Sequence, residues 1–176
     1  MSELGIDSRA GTRFETISYK SLRTILSCAQ KEGISKFLDI GCGLGRSLIV
    51  SDEVGFNDIY GVDISQALIE FCKKNLSKKD ISAQLSCCDL DDLDIPQGRL
   101  AVYLFNSFGE DRMTRLVEKF LCRDSDTLII YHNPKHGGCF NKDYHLKDIV
   151  WNHFGLYQEK ASLYLIPARV RHEESL

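Results

Sequence analysis

Residues 37–46 read Phe-Leu-Asp-Ile-Gly-Cys-Gly-Leu-Gly-Arg. An apolar strand runs straight into three glycines, Gly41, Gly43 and Gly45, and a helix-forming stretch begins at Arg46. Glycine permits backbone turns closed to other residues and lets a ligand come close to the main chain. The first turn of the following helix adds N–H groups with no partner of their own. Strand, glycine turn and helix in that order make a βα unit of an open parallel sheet, with a ligand at the C-terminal ends of its strands.

The rest of the chain repeats this alternation of short β-rich runs and amphipathic segments. A helix is expected over 19–31, with Leu22, Ile25, Leu26 and Ala29 on one face and Gly33 as its stop. Strands are expected at 36–40, 58–62, 81–87, 100–105 and 127–132, and helices at 46–54, 65–76 (capped by Ser65) and 111–122. A short helix over 143–152 and a tight antiparallel hairpin, 156–160 with 162–167, complete the expectation. The fold class is therefore α/β: a doubly wound, mostly parallel seven-stranded sheet with an antiparallel C-terminal hairpin, in a single domain. Residues 1–34 form its N-terminal segment and helix, and residues 35–176 its core.

Composition narrows the function. The 176 residues carry 22 Lys and Arg against 25 Asp and Glu, a net charge of −3. Such a chain has no global field favouring nucleic acid. The first residues lack the apolar core of a signal peptide, and the longest apolar runs are too short to span a bilayer, so a soluble, cytoplasmic protein is expected. Seven cysteines without a Cys-x-x-Cys pair read as free thiols in a reducing compartment. His132, His136, Cys139 and His145 are scattered donors read as surface or substrate contacts, and no metal is expected.

The glycine spacing separates two ligand classes. Dinucleotide sites use Gly-x-Gly-x-x-Gly. Here the spacing is Gly-x-Gly-x-Gly, and Arg46 stands where the third glycine of that motif would be. Asp39 lies two residues before Gly41, where a carboxylate opposes a pyrophosphate and favours an ammonium group.

An acidic residue followed by Gly-x-Gly-x-Gly resembles the first motif of the class I methyltransferases that use S-adenosylmethionine. The resemblance extends through Gly61-Val62-Asp63-Ile64-Ser65, Cys88-Asp89-Leu90 and Asn106-Ser107-Phe108-Gly109, each at the end of an expected strand, and covers most of residues 14–167. It implies a transferase with S-adenosylmethionine as cofactor. Gly41, Cys42, Gly43 and Gly45 would cradle the methionine end with Asp39. Asp63 would accept from the ribose hydroxyls, with Ile64 beside it. Asp89 would accept from the adenine amino group, and the Leu90 N–H would reach a ring nitrogen. Thr16 belongs to Arg13-Phe14-Glu15-Thr16-Ile17-Ser18-Tyr19, which resembles a segment that lies across the cofactor in similar enzymes, and would contact the cofactor.

The resemblance implies that Asn106 and Phe108 stand at the reaction-facing position of such enzymes. The Asn106 side-chain oxygen and the Ser107 carbonyl would accept from an amine acceptor, and Phe108 would wall it off. A hydroxyl acceptor would instead require a general base, with His132 and His136 as candidates. The acceptor stays open between a small molecule and a protein. Two other readings carry weight: a catalytically silent methyltransferase-like binding module, and a nucleotide-dependent oxidoreductase.

Overall fold

The computed structural model describes residues 17–105, 108–153 and 157–169. Its elements are α1 (Tyr19–Gln30), β1 (Lys36–Ile40), α2 (Arg46–Glu53), β2 (Asp58–Asp63), α3 (Gln66–Ser77), β3 (Gln84–Cys87), β4 (Leu100–Phe105), α4 (Glu110–Leu121), β5 (Thr127–His132), β6 (His145–His153) and β7 (Tyr157–Ile166). Three short 3₁₀ turns, Leu90–Asp92, Gly137–Cys139 and Lys142–Tyr144, punctuate the loops.

All seven strands form one sheet in the order β3-β2-β1-β4-β5-β7-β6. The first five are parallel, and β7 runs antiparallel between β5 and β6. Strands β4 and β5 sit centrally and are almost wholly buried, which is why their sequences are unbroken apolar runs rather than alternating ones. One face is covered by α1, α2 and α3, whose Leu22, Ile25, Leu48, Val50, Ile69 and Cys72 meet Phe37, Tyr103 and Ile130. The other is covered by α4, whose Met113, Leu116, Val117 and Phe120 meet Leu38, Val102, Leu104 and Ile129. The α4 stripe at positions i, i+3, i+4 and i+7 is the expected core face of a surface helix.

Capping fixes where the helices start. The Ser18 side chain accepts from the Ser21 amide at 3.1 Å, and the Ser65 side chain accepts from the Leu68 amide at 3.4 Å. Helix α2 starts differently: its N-cap is Gly45 at φ +84°, with no capping side chain. Arg46, the first residue of α2, donates to the Ile17 carbonyl and places its guanidinium over the Tyr19 ring, 5.1 Å from the centroid, so the entry to α1 is tied to the glycine turn.

Three expectations are corrected. Residues 143–152 are not a helix. After the turn at Lys142–Tyr144 they form β6, with Ile149 and Trp151 packed inward while Leu146 and Val150 stay exposed. Residues 156–160 and 162–167 are not two strands either: Tyr157–Ile166 is one continuous strand, and its hairpin partner is β6. No Gly, Asn, Asp or Pro lies between Tyr157 and Ile166 to favour a tight turn there, and the run stays extended. The third strand is also shorter than 81–87, because Asp80 at φ +55° and the Ile81 amide bonded to the Leu76 carbonyl continue the α3 turn.

Candidate cofactor site

The three glycines of the β1–α2 turn all take left-handed conformations: Gly41 at φ +90°, Gly43 at +53° and Gly45 at +84°. A side chain at any of them would strain the backbone. The turn is held from the neighbouring strand: the amides of Gly41 and Cys42 both donate to the Val62 carbonyl, at 2.8 and 2.9 Å. One residue on, Asp63 accepts from the Gly43 amide at 3.0 Å through one oxygen and from the Ser65 amide at 2.9 Å through the other. The Asn75 side chain of α3 donates to the Leu44 carbonyl at 3.1 Å. The ends of β1 and β2 thus form one rigid shelf.

Asp39 lies under the shelf and is only 3% exposed. Burial raises its pKa from 3.8 to about 7; the hydrogen bond from the Ser47 hydroxyl opposes that rise, and the Asp63 charge adds to it. Cys42 is also buried and hydrogen-bonded to the Cys72 thiol of α3, a contact that with burial pushes its own thiol up. All seven cysteines are free thiols. Ile64, by contrast, is 56% exposed at the same edge, an apolar surface open beside the Asp63 carboxylate.

The end of β3 carries Asp89, which caps the 3₁₀ turn by accepting from the Asp91 amide at 3.3 Å. It also pairs with Arg112 of α4, and this pairing, the largest cause, holds its carboxyl below the usual range. Arg115 pairs with Asp91 at 3.3 Å, and Lys119 donates to the Leu90 carbonyl at 2.9 Å, so α4 straps the whole turn. Leu90 itself is buried. Phe108 is half-buried, with the Arg112 guanidinium 5.8 Å from its ring centroid.

Asp39, Gly41, Cys42, Gly43, Gly45, Asp63, Ile64, Asp89 and Leu90 therefore lie in or beside the C-terminal ends of three adjacent strands, with Phe108 nearby after β4. Thr16 and Asn106 fall outside the described residues. The histidines separate: His132 is buried at the end of β5, His136 lies in the following loop, and His145 pairs with Asp148 at 2.9 Å. Among the described residues no three His, Cys, Asp or Glu side chains are grouped as metal ligands. No helix among them is long and apolar enough to cross a membrane.

Sequence reading missed a polar seam on the α1 side. The Tyr103 hydroxyl lies 2.9 Å from Nδ1 of His132, whose Nε2 lies 3.3 Å from a Glu159 carboxylate oxygen. The available signal was the tyrosine within Leu-Ala-Val-Tyr-Leu-Phe: a hydroxyl in a buried strand needs a partner.

The chain is similar to known proteins in sequence and in fold. Residues 37–121 match the family model described as a methyltransferase domain. The ribosomal protein L11 methyltransferase of Fusobacterium nucleatum is 29% identical over 107 residues, covering 60% of this chain and 32% of that protein. The carboxy-S-adenosyl-L-methionine synthase of Shewanella piezotolerans is 38% identical over 91 residues, covering 48% of this chain and 37% of that one. The chain thus spans about a third of the length of these relatives. An RNA methyltransferase from Salinibacter ruber, solved with S-adenosyl-L-homocysteine, superposes with a TM-score of 0.65 at 16% identity, covering 92% of this chain and 100% of that one. Fold, glycine turn and family model agree: residues 37–121 match a methyltransferase domain and are set in a seven-stranded sheet of the class I, Rossmann-like fold.

Proposed function

We propose that this chain binds S-adenosylmethionine along the C-terminal ends of β1, β2 and β3 and transfers its methyl group to an acceptor beside the end of β4. The observation that carries the reading is the shelf itself: three left-handed glycines lead into a helix N-terminus, and a carboxylate from the next strand lies beside them. The residues present fit the cofactor. The glycines leave the main chain of the turn bare of side chains, Ile64 offers an exposed apolar face, and Asp63 keeps lone pairs beyond its two backbone bonds for a vicinal diol.

When bound, the cofactor supplies a sulfonium methyl that is already activated. The chain's own residues hold and orient. In this reading Asp39 faces the ammonium end, Asp63 holds the ribose, and Asp89 with the Leu90 amide reads adenine. Asn106 and the Ser107 carbonyl accept from an amine acceptor, and Phe108 keeps water from it. The work left to the enzyme is alignment, with nucleophile and methyl at roughly 3–3.5 Å and in line with the leaving sulfur. Thr16 adds a contact from the N-terminal segment. The acceptor is a small molecule or a protein, and an amine nitrogen is favoured by Asn106 at the reaction-facing position.

Calorimetric titration with S-adenosylmethionine tests the cofactor, with binding expected at micromolar Kd, about −8 kcal/mol. Absence of binding by the folded chain overturns the reading. Release of S-adenosylhomocysteine in the presence of amine-bearing and hydroxyl-bearing acceptor panels tests the transfer. Asn106→Ala is expected to lower turnover by about 10²-fold while leaving cofactor affinity near that of the parent.

A further inference from the structure

The crossover from β5 to β6, residues 133–144, holds two 3₁₀ turns and no α-helix, so it lays no helix over the α4-side face of β6 and β7. A recess of about 360 Å³ stands there instead, within the size range of small-molecule sites. Its wall is polar. Asp148 of β6 and Ser162 of β7 are register partners, and the Ser162 hydroxyl donates to one carboxylate oxygen of Asp148 at 2.7 Å. Nε2 of His145 lies 2.9 Å from the same oxygen, and the Lys160 ammonium lies 2.8 Å from the other. Burial alone would raise the Asp148 carboxyl; the hydrogen bonds from Lys160, His145 and Ser162 outweigh it and bring it to about 2. The carboxylate is thus a post that holds Lys160 and His145 in place, and the ammonium keeps two further N–H groups to give.

Two more donors line the recess. Tyr164 is 7% exposed, yet its hydroxyl makes no hydrogen bond among the described residues. Its ring is fixed between Phe140, stacked with centroids 4.3 Å apart, and His145, edge-on at 5.4 Å. A Cβ on Gly137, which also lines the recess, would lie 3.1 Å from the Tyr164 oxygen, so the hydroxyl faces the space that this glycine leaves open. A nearly buried hydroxyl calls for a partner. Lys142 stands on the same rim, exposed and without an ion pair among the described residues.

Donors from the crossover, from β6 and from β7 therefore meet in one recess whose carboxylate is already occupied. Two ammonium groups oppose a cation there and attract an anion. An arriving dianion also favours the imidazolium at His145. Two lysines and the imidazolium then face one carboxylate, which leaves the two positive charges that a phosphate dianion balances. Its three oxygens suit donors arriving from three elements better than the two coplanar oxygens of a carboxylate do.

We propose that this recess is a binding site for a small phosphate monoester, whose phosphate oxygens accept from Lys142, Lys160, His145 and the Tyr164 hydroxyl. The site lies apart from the ends of β1 to β3 and does not depend on the cofactor reading.

The test is calorimetry on the full chain with glycerol phosphate, with inorganic phosphate and glycerol as comparisons. The monoester is expected to bind with a Kd of about 0.1–1 mM, more tightly than the free ion, and glycerol not at all. Tyr164→Phe is expected to weaken the monoester by about tenfold, the loss of one hydrogen bond to a charged group, and Lys142→Met by about 5–10-fold. Without ligand both variants are expected to melt with the parent, because neither removed group has a partner in the protein. Absence of saturable binding at millimolar monoester overturns the site, as does binding by both variants equal to the parent's. A lowered melting point of unliganded Tyr164→Phe gives the hydroxyl a structural role and removes it from the site. Inorganic phosphate bound as tightly as the ester assigns the recess to the free ion and overturns the monoester.

Discussion

The Gly43 amide donates to Asp63 at 3.0 Å, joining the glycine turn after β1 to the last residue of β2. The side chain assigned to the cofactor's ribose therefore also sets the shape of the turn assigned to its methionine end. The two halves of the proposed site are built as one piece, and ligand binding has little backbone left to order.

Removing Asp63 should act on both halves. Asp63→Ala is expected to weaken S-adenosylmethionine by about 1–3 kcal/mol, the usual loss for hydrogen bonds to a charged group. Asp63→Asn keeps one acceptor oxygen and should fall in between. Calorimetry on variants shown by circular dichroism to be folded checks this, and unchanged affinity would remove the ribose assignment.

Gly45→Ala should destabilise the fold. Its added Cβ would lie 2.6 Å from the Cys72 sulfur at a φ of +84°. Both the clash and the left-handed conformation oppose it, for an expected cost of about 1–3 kcal/mol. Adding Cys72→Ala should recover the steric part and leave the backbone part. Urea denaturation of the single and double variants separates the two.

Asp39 predicts a direction with pH. Its folded pKa, about 7, lies above the ordinary 3.8, so the folded chain keeps a proton that the unfolded chain gives up. The stability tied to that proton is complete below the ordinary value and is lost as pH rises through about 7. Asp39→Asn should remove this part of the pH dependence, read from denaturation midpoints across that window. An arriving ammonium favours the carboxylate, so binding of S-adenosylmethionine near neutral pH should release a proton. Calorimetry in buffers of different ionisation enthalpy reads that release.

Asp89 is paired with Arg112, and both side chains are about a third exposed, at 33% and 36%. Such a surface pair contributes about 0–1 kcal/mol, so Arg112→Met should barely change stability. Asp89→Asn should weaken S-adenosylmethionine by about fivefold, the worth of one hydrogen bond to adenine. The variant should also lose its preference over an analogue lacking the adenine amino group. Equal binding of both by the parent would reassign Asp89 to a purely structural cap.

Much of the sheet is legible because several of its first five strands are decided locally. Leu100–Phe105 and Thr127–His132 are apolar runs of strand length, and Gly41 to Gly45 mark their own turn. The segment His-Leu-Lys-Asp-Ile-Val-Trp-Asn-His misleads because it is an edge strand. Its outward positions include Leu146 and Val150, so the two-residue alternation of polar and apolar side chains is blurred, and a short helix fits as well. Tyr103 in an apolar strand signals a buried partner, but the partners themselves, His132 and Glu159, are invisible for another reason. The three residues come from β4, β5 and β7, which only the strand order brings together.

That strand order also dictates when the sheet can be finished. β7 separates β5 from β6, so β6 has no strand to pair with until β7 has been made. On a ribosome, where the chain emerges N-terminus first, β1 to β5 can assemble while β6 waits as an unpaired ribbon carrying Leu146 and Val150 outward. Chains halted before Tyr157 would hold two open edges, on β5 and on β6, and would be the species most prone to cross-chain pairing. Insertion of β7 pairs the open edge of β5 and one edge of β6 at once, and it seats Glu159 against His132 in the same late step.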